Sequence, residues 1–226
     1  MIGAIVEHAT YLSDPEKLFT VSTGFIEAVV VSVVAGLYIV AQPSIYRTGL
    51  VDLFPPRSHP HAREAIDAVA NALRLWLLGQ LIQMVAIGIL STIAVWLIGL
   101  PAPLALGLIA GVAEFIPYLG PILAAIPAGL VAVTKGTDAL IWTIIAYILI
   151  HQAEGNLIGP IVQREMLYIP PAVILLGIIS ISFLFGAIAI VFAAPMVVML
   201  FVLIKKLYVR ETLGEKTSIP GETEAP

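Results

Sequence analysis

Ala113-Glu114-Phe115-Ile116-Pro117-Tyr118-Leu119-Gly120-Pro121 is the stretch on which the fold turns. It lies within residues 101–134, 34 apolar residues that hold five prolines and a single charged side chain, Glu114. As one straight helix that run would be about 51 Å long, against a bilayer core of roughly 30 Å. Pro117, Gly120 and Pro121 also stop a helical hydrogen-bond ladder, because proline lacks the N–H and its ring collides with the carbonyl four residues back. The run therefore reads as two half-helices of about 15 residues meeting at a Pro/Gly turn, a helical hairpin or a discontinuous span. Unwound backbone at membrane depth survives only when it is buried in protein or lines a wet cavity.

The rest of the chain agrees with a membrane setting. Of its 226 residues 60% are hydrophobic and only 12% charged, and mean hydropathy is +1.04. A water-soluble fold needs roughly a quarter of its residues charged to cover its surface. Here residues 75–113 and 166–204, 39 residues each, contain no Asp, Glu, Lys or Arg. The predicted class is an all-α integral membrane protein, a multi-span helical bundle in contact with the lipid bilayer. With no cysteine, disulfides, thiol nucleophiles and zinc-thiolate sites are excluded. A net charge of -4 with no dense basic cluster speaks against nucleic acid as a partner.

Residues 1–20 form a polar N-terminal segment without the basic region and unbroken apolar core of a secretory signal. Residues 21–42 are long enough for a first span, with Glu27 one to two turns inside it, either near the interface or carrying protons. Within the connector, 43–74, the part at 44–60 is polar and holds Pro55 and Pro56, so it reads as loop. From His61 the pattern turns amphipathic: Ile66, Val69, Ala70, Leu73 and Leu77 oppose Arg63, Glu64, Asp67, Asn71 and Arg74. It runs without a breaker to residue 98, predicting one long helix with Gly79, Gln80, Gln83 and Gly88 on its protein-facing stripe. The transport bundle is expected over 75–204 and a polar tail over 205–226. Arg47, Arg57, Arg63 and Arg74 on the connector, and Lys205, Lys206, Arg210 and Lys216 on the tail, place both in the cytoplasm.

A second break is expected near 154–161, where a short apolar run ends in Gln152-Ala153-Glu154-Gly155-Asn156-Leu157-Ile158-Gly159-Pro160. It resembles the first. Ala113-Glu114 leads to Leu119-Gly120-Pro121-Ile122-Leu123, and Ala153-Glu154 to Ile158-Gly159-Pro160-Ile161-Val162, with one residue fewer between. The pair is either an internal repeat or two unrelated helix breakers. Beyond Pro170-Pro171 a last apolar stretch, with bends at Gly186 and Ala194-Pro195, suits two short spans or a hairpin plus a span.

An isolated carboxylate in a charge-free segment is costly to bury and has a compensating role. Glu114 is the leading candidate: it could alternate between protonated and ionised forms or bind a cation together with freed carbonyls. The plainer reading pairs it with an Arg or Lys of another helix. Glu154 and Asn156 form a second cluster, with His151 and Gln152 just before; an interfacial loop is the alternative. Tyr118 could donate its hydroxyl to a solute or anchor at the interface. Gln80 and Gln83 share a helix face and offer amides to a ligand or to neighbouring helices. Pro117, Gly120, Pro121, Gly159 and Pro160 act through the backbone, letting the chain turn. Neither His-Glu-x-x-His nor Gly-x-Ser-x-Gly nor a phosphate-cradling loop occurs, and the histidines at 8, 59, 61 and 151 are scattered. The sequence thus predicts no enzyme, no cofactor and no metal. A non-transporting structural module is the remaining alternative.

The residues resemble the autoinducer-2 exporter-like (AI-2E) transporter family. The likeness runs from about Tyr38 to Tyr208 through Leu53-Phe54-Pro55, Trp76-Leu77-Leu78-Gly79-Gln80, Gly99-Leu100-Pro101 and Phe115-Ile116-Pro117-Tyr118-Leu119-Gly120-Pro121. It continues through Ile126-Pro127-Ala128, Gln152-Ala153-Glu154-Gly155-Asn156-Leu157-Ile158-Gly159-Pro160, Pro170-Pro171, Leu184-Phe185-Gly186 and Ala194-Pro195. These match the carboxy-terminal two-thirds of the longer family members, which begin with additional hydrophobic spans. The resemblance implies a permease of the prokaryotic cytoplasmic membrane that exports a small polar solute, coupled to H+ or Na+, or else a sodium/proton antiporter. It also implies a homo-oligomer.

Overall fold

The computed structural model describes residues 38, 41–165, 169–186, 189–215, 217 and 219. Among the described residues every regular element is a helix. The chain divides into two compact units, Met1–Arg63 and Glu64–Pro226. The expected N-terminal segment and first span lie outside the described residues, apart from Tyr38, Ala41 and Gln42.

In the first unit, helix α1 (Pro43–Asp52) corrects the reading of 44–60 as loop. Its polar residues hide it from a hydropathy reading, yet Pro43 opens it in the first turn, where a missing N–H costs nothing. The chain leaves the helix ahead of Pro55 and makes one 3-10 turn at Pro56–Ser58. The ring nitrogen Nε2 of His59 lies 2.9 Å from the carbonyl oxygen of Phe54 and closes this corner.

Helix α2 (His59–Ile98) is the expected unbroken helix, begun two residues earlier than the periodicity suggested. Its 40 residues span about 60 Å. In the second unit its buried positions, Ala65, Ala72, Gln80, Ile87, Ser91 and Val95, recur at steps of four, seven and eight and so form one stripe. The opposite side carries Leu77, Leu81, Val85, Ile89, Ile93 and Trp96, all exposed. A continuous apolar surface of that extent is larger than water-soluble monomers expose, and suits a membrane or a protein partner.

The run at 101–134 breaks as expected, into α3 (Pro103–Ala113) and α4 (Gly120–Lys135). Helix α3 crosses α2 at backbone distance. A Cβ built on Gly111 would lie 2.6 Å from the carbonyl oxygen of Met84, and one on Gly107 would strike the Thr92 side chain. Such contact suits lipid, where helices associate by close packing rather than by hydrophobic exclusion. Helix α4 offers Gly120, Ala124, Ala128 and Ala132 at four-residue steps as its buried ridge. It packs on α3 and on α5 (Thr137–Ala153), and Leu106, Ala110, Ala128 and Tyr147 share one core with Ile87 and Val95 of α2.

The second expected break is not a break. After α5 the chain stays helical through a π turn at Glu154–Ile158 into α6 (Gly159–Glu165). Its wider register, with the Gly159 N–H on the Glu154 carbonyl, relieves the clash that Pro160 would make in an α-helix. The last apolar stretch forms two helices, α7 (Pro171–Phe185) and α8 (Ile190–Leu203), the first ending at Gly186, whose φ of 86° is a glycine conformation. Pro195 lies inside α8 and does not end it. These helices pack together through Ile178, Ile181, Ala194 and Val197. The expected tail does not begin as a loose segment: Ile204–Thr212 prolong α8 as π-helix. Lys206 is buried there, its Nζ 2.9 Å from Oε2 of Glu64, and Ile219 packs on Ala72. Pro56–Ile98 and Ile190–Thr212 are each long and apolar enough to cross a membrane, and α3, α4 and α7 are shorter apolar helices.

Candidate functional site

The break after α3 and the π turn after α5 are forty residues apart in sequence and meet at one cavity of about 470 Å³ in the second unit. Glu114 caps the carboxyl end of α3 and Glu154 that of α5. The Glu114 carboxylate therefore sits where the dipole of α3 is already negative, whereas Glu154 lies where the helix widens and continues. Donor atoms of Glu114, His151 and Glu154 all lie within 4.8 Å of one another.

Glu114 is 2% exposed. Its carbonyl accepts a 2.6 Å hydrogen bond from Nε2 of Gln80, which ties the broken backbone to α2. Its carboxyl oxygen Oε2 has no hydrogen-bond partner among the described residues, and neither has Nε2 of His151. The other ring nitrogen, Nδ1, lies 3.2 Å from Oε2 of Glu154. Two carboxylates side by side in a pocket of low dielectric call for positive charge, which a shared proton, an imidazolium or a bound cation can supply.

The rest of the break holds this cluster in place. Tyr118 takes φ 67°, a left-handed conformation that costs a non-glycine residue about 1–2 kcal/mol and so has to be held by its surroundings. Its hydroxyl faces the Pro171 carbonyl at 3.4 Å. Phe115 meets Trp76 edge to face at 5.9 Å between ring centres. A Cβ on Gly120 would lie 2.8 Å from both the Ala113 carbonyl oxygen and the Glu114 Cα, so only glycine lets α4 restart so close to the end of α3.

Of the residues singled out from the sequence, Gln80, Gln83, Glu114, Pro117, Tyr118, Pro121, Glu154 and Gly159 line the cavity. Gly120 stands behind it, shaping the break. Asn156 is exposed and donates to the Gln152 carbonyl at 2.8 Å, so it serves the π turn. Gln152 lies at the edge of a second, mostly apolar hollow of about 870 Å³ between α4 and α5. Pro160 is exposed and away from the cavity. His151, in sequence a mere neighbour of the second cluster, also lines the cavity, and its spacing of three from Glu154 puts the two on one helix face. Trp76 and Pro171, from motifs that carry the family resemblance, also line it, and Val162, Ile169 and Ile174 do so without any local sequence signal.

Three known proteins are similar over the part matched. A Bacillus subtilis (strain 168) protein named "Putative transport protein YrrI" is 34% identical over 139 residues, 62% of this chain and 38% of the relative. From the same organism, "Putative transport protein YueF" is 29% identical over 145 residues, 64% of this chain and 39% of its own length. A "Putative transport protein" of Thermotoga maritima is 23% identical over 190 residues, 84% of this chain and 58% of that protein. The chain thus spans about half or less of the length of the relatives it matches. Family resemblance, apolar helices and relatives named for transport agree with one another, and the sequence model described as AI-2E family transporter matches residues 2–209: the chain belongs to that family of transporters.

Proposed function

We propose that this chain carries the solute pathway of a membrane permease, in which the cavity between the 114–119 break and the π turn binds a small polar solute and an ion gradient drives its export. The observation that carries this reading is Glu114, a buried carboxylate with one oxygen unpartnered among the described residues, at a helix break that opens on a cavity. A purely structural carboxylate would be paired, because an unpaired buried charge costs several kcal/mol. The cavity wall is mixed, with Gln80, Gln83 and Tyr118 offering hydrogen bonds between apolar faces, which suits a small polar molecule more than a lipid.

The Lys206–Glu64 contact supports the expected topology, because it joins the start of α2 to the tail and so needs both on one side of the membrane. With the basic residues of both segments, that side is the cytoplasm. We place the protein in the prokaryotic inner membrane as a homo-oligomer.

Flux in proteoliposomes of purified protein, with an imposed H+ or Na+ gradient and small polar solutes offered in turn, tests this. Glu114→Gln is expected to lower gradient-driven flux at least about tenfold, the scale of one lost contact to a charged group of about 1.5–3 kcal/mol. Ion exchange without any solute would replace this reading by sodium/proton antiport. Silence of folded wild-type protein under every gradient would favour a structural module.

A further inference from the structure

We infer that Glu114, His151 and Glu154 form a binding site for one first-row divalent metal ion, of the Zn2+ or Mn2+ class, open on its fourth side to the cavity. The three donors come from the ends of two helices and lie within 4.8 Å of one another. Ligands of one tetrahedral ion, with bonds of about 2.0–2.2 Å, stand about 3.3 Å apart. His151 Nδ1 and Glu154 Oε2, at 3.2 Å, are already at that spacing. The third donor, on Glu114, lies within 4.8 Å of both, and the terminal torsion of its carboxylate is broad and soft.

Charge selects the ion. Two ionised carboxylates and a neutral imidazole carry two negative charges, which a divalent ion cancels and a monovalent ion leaves half uncompensated in a low-dielectric pocket. The carboxyl end of α3 adds its own negative potential. The imidazole selects within the divalents: Mg2+ and Ca2+ take oxygen ligands, whereas nitrogen with oxygen suits the first-row metals. A second feature points to a ligand independently of the donor spacing. Oε2 of Glu114, on a side chain only 2% exposed, is buried, lines the cavity and is without a hydrogen-bond partner among the described residues. Three protein ligands with one open position leave room for a solute to complete the coordination.

The site is the one proposed for transport, and the inference rests on that cavity but not on flux, so the two can fail separately. The test is calorimetric titration of the metal-stripped, full-length protein in detergent with Zn2+, then Mn2+. One Zn2+ per chain is expected, with affinity falling at least about tenfold in Glu114→Gln, in Glu154→Gln and in His151→Ala. It should not change in the double variant His59→Ala, His61→Ala, whose histidines lie outside the cluster. Loss of binding in that double variant, or binding that survives all three cluster variants, would overturn the site as a surface artefact. Because the chain contains no cysteine, His151→Cys gives a positive readout that misfolding cannot imitate. With Co2+ it should develop a thiolate-to-cobalt charge-transfer band that the wild type lacks, and a folded His151→Cys protein without that band refutes the assignment. Normal zinc binding in a protein that moves no solute would leave the metal site standing and remove the transport reading.

Discussion

The two segments around the cavity carry nearly the same string of residue types and fold differently. Ala113-Glu114 leads through a full break to Gly120-Pro121, whereas Ala153-Glu154 leads through a π turn, still helical, to Gly159-Pro160. The difference lies between the ends. The first segment has a further proline, Pro117, followed by Tyr118 in a left-handed conformation. The second has Gly155 and Asn156 there, with Asn156 bonding back to the Gln152 carbonyl, so one wide turn absorbs the single proline. A lone Gly-Pro pair widens a helix, and a second proline in the same turn parts it. Both solutions put a glutamate at the same cavity, the first at the end of a helix and the second where a helix widens.

That contrast can be broken by adding methyl groups. Gly120→Ala should cost most, roughly 2–3 kcal/mol, because its Cβ meets the backbone of Ala113 and Glu114 at 2.8 Å, and backbone cannot swing aside as a flexible side chain can. Thermal unfolding in detergent should record a fall of about 5–10 °C, and an unchanged midpoint would mean that the helices do not approach as described. Gln80→Leu comes next. It strips the break of its tie to α2 and leaves the Glu114 carbonyl unpaired, at roughly 1–3 kcal/mol by the same measurement. A cost below that of Asn156→Ala, which removes only an exposed local bond, would invert the comparison. Gly159→Ala should be milder, under about 1 kcal/mol, since its Cβ meets a single carbonyl oxygen at 3.2 Å. Gly155→Ala should be neutral or raise the midpoint by up to about 3 °C, because nothing lies within 4 Å and alanine favours the helix. A large loss there would show that the π turn is as constrained as the break.

Much of this arrangement is legible in the sequence. Length and charge-free composition predict helices in lipid, and the prolines at 117 and 121 locate the break between α3 and α4. Glu114 stands out because it is the one charge in 34 residues. The helix at Pro43–Asp52 does not announce itself, since its mixed polarity follows no clear apolar stripe. The π turn is hidden for another reason: Gly and Pro signal trouble for an α-helix but not whether the chain parts or merely widens. Nor does any local pattern bring Ile169, Pro171 and Ile174 to the cavity wall, because tertiary packing of α7 and the residues before it decides that. The meeting of Glu114 with Glu154 could be suspected from their matched surroundings, but His151 enters only through the three-residue step that the helix makes real.

The central claim is that the break and the π turn act as one site. A double-mutant cycle on gradient-driven flux tests it most directly, with Glu114→Gln, Glu154→Gln and both together in proteoliposomes. If the two carboxylates serve one ion, either change alone removes most of the effect, and the double variant falls little below the worse single one. Two losses that multiply in the double variant would mean independent sites and contradict the account.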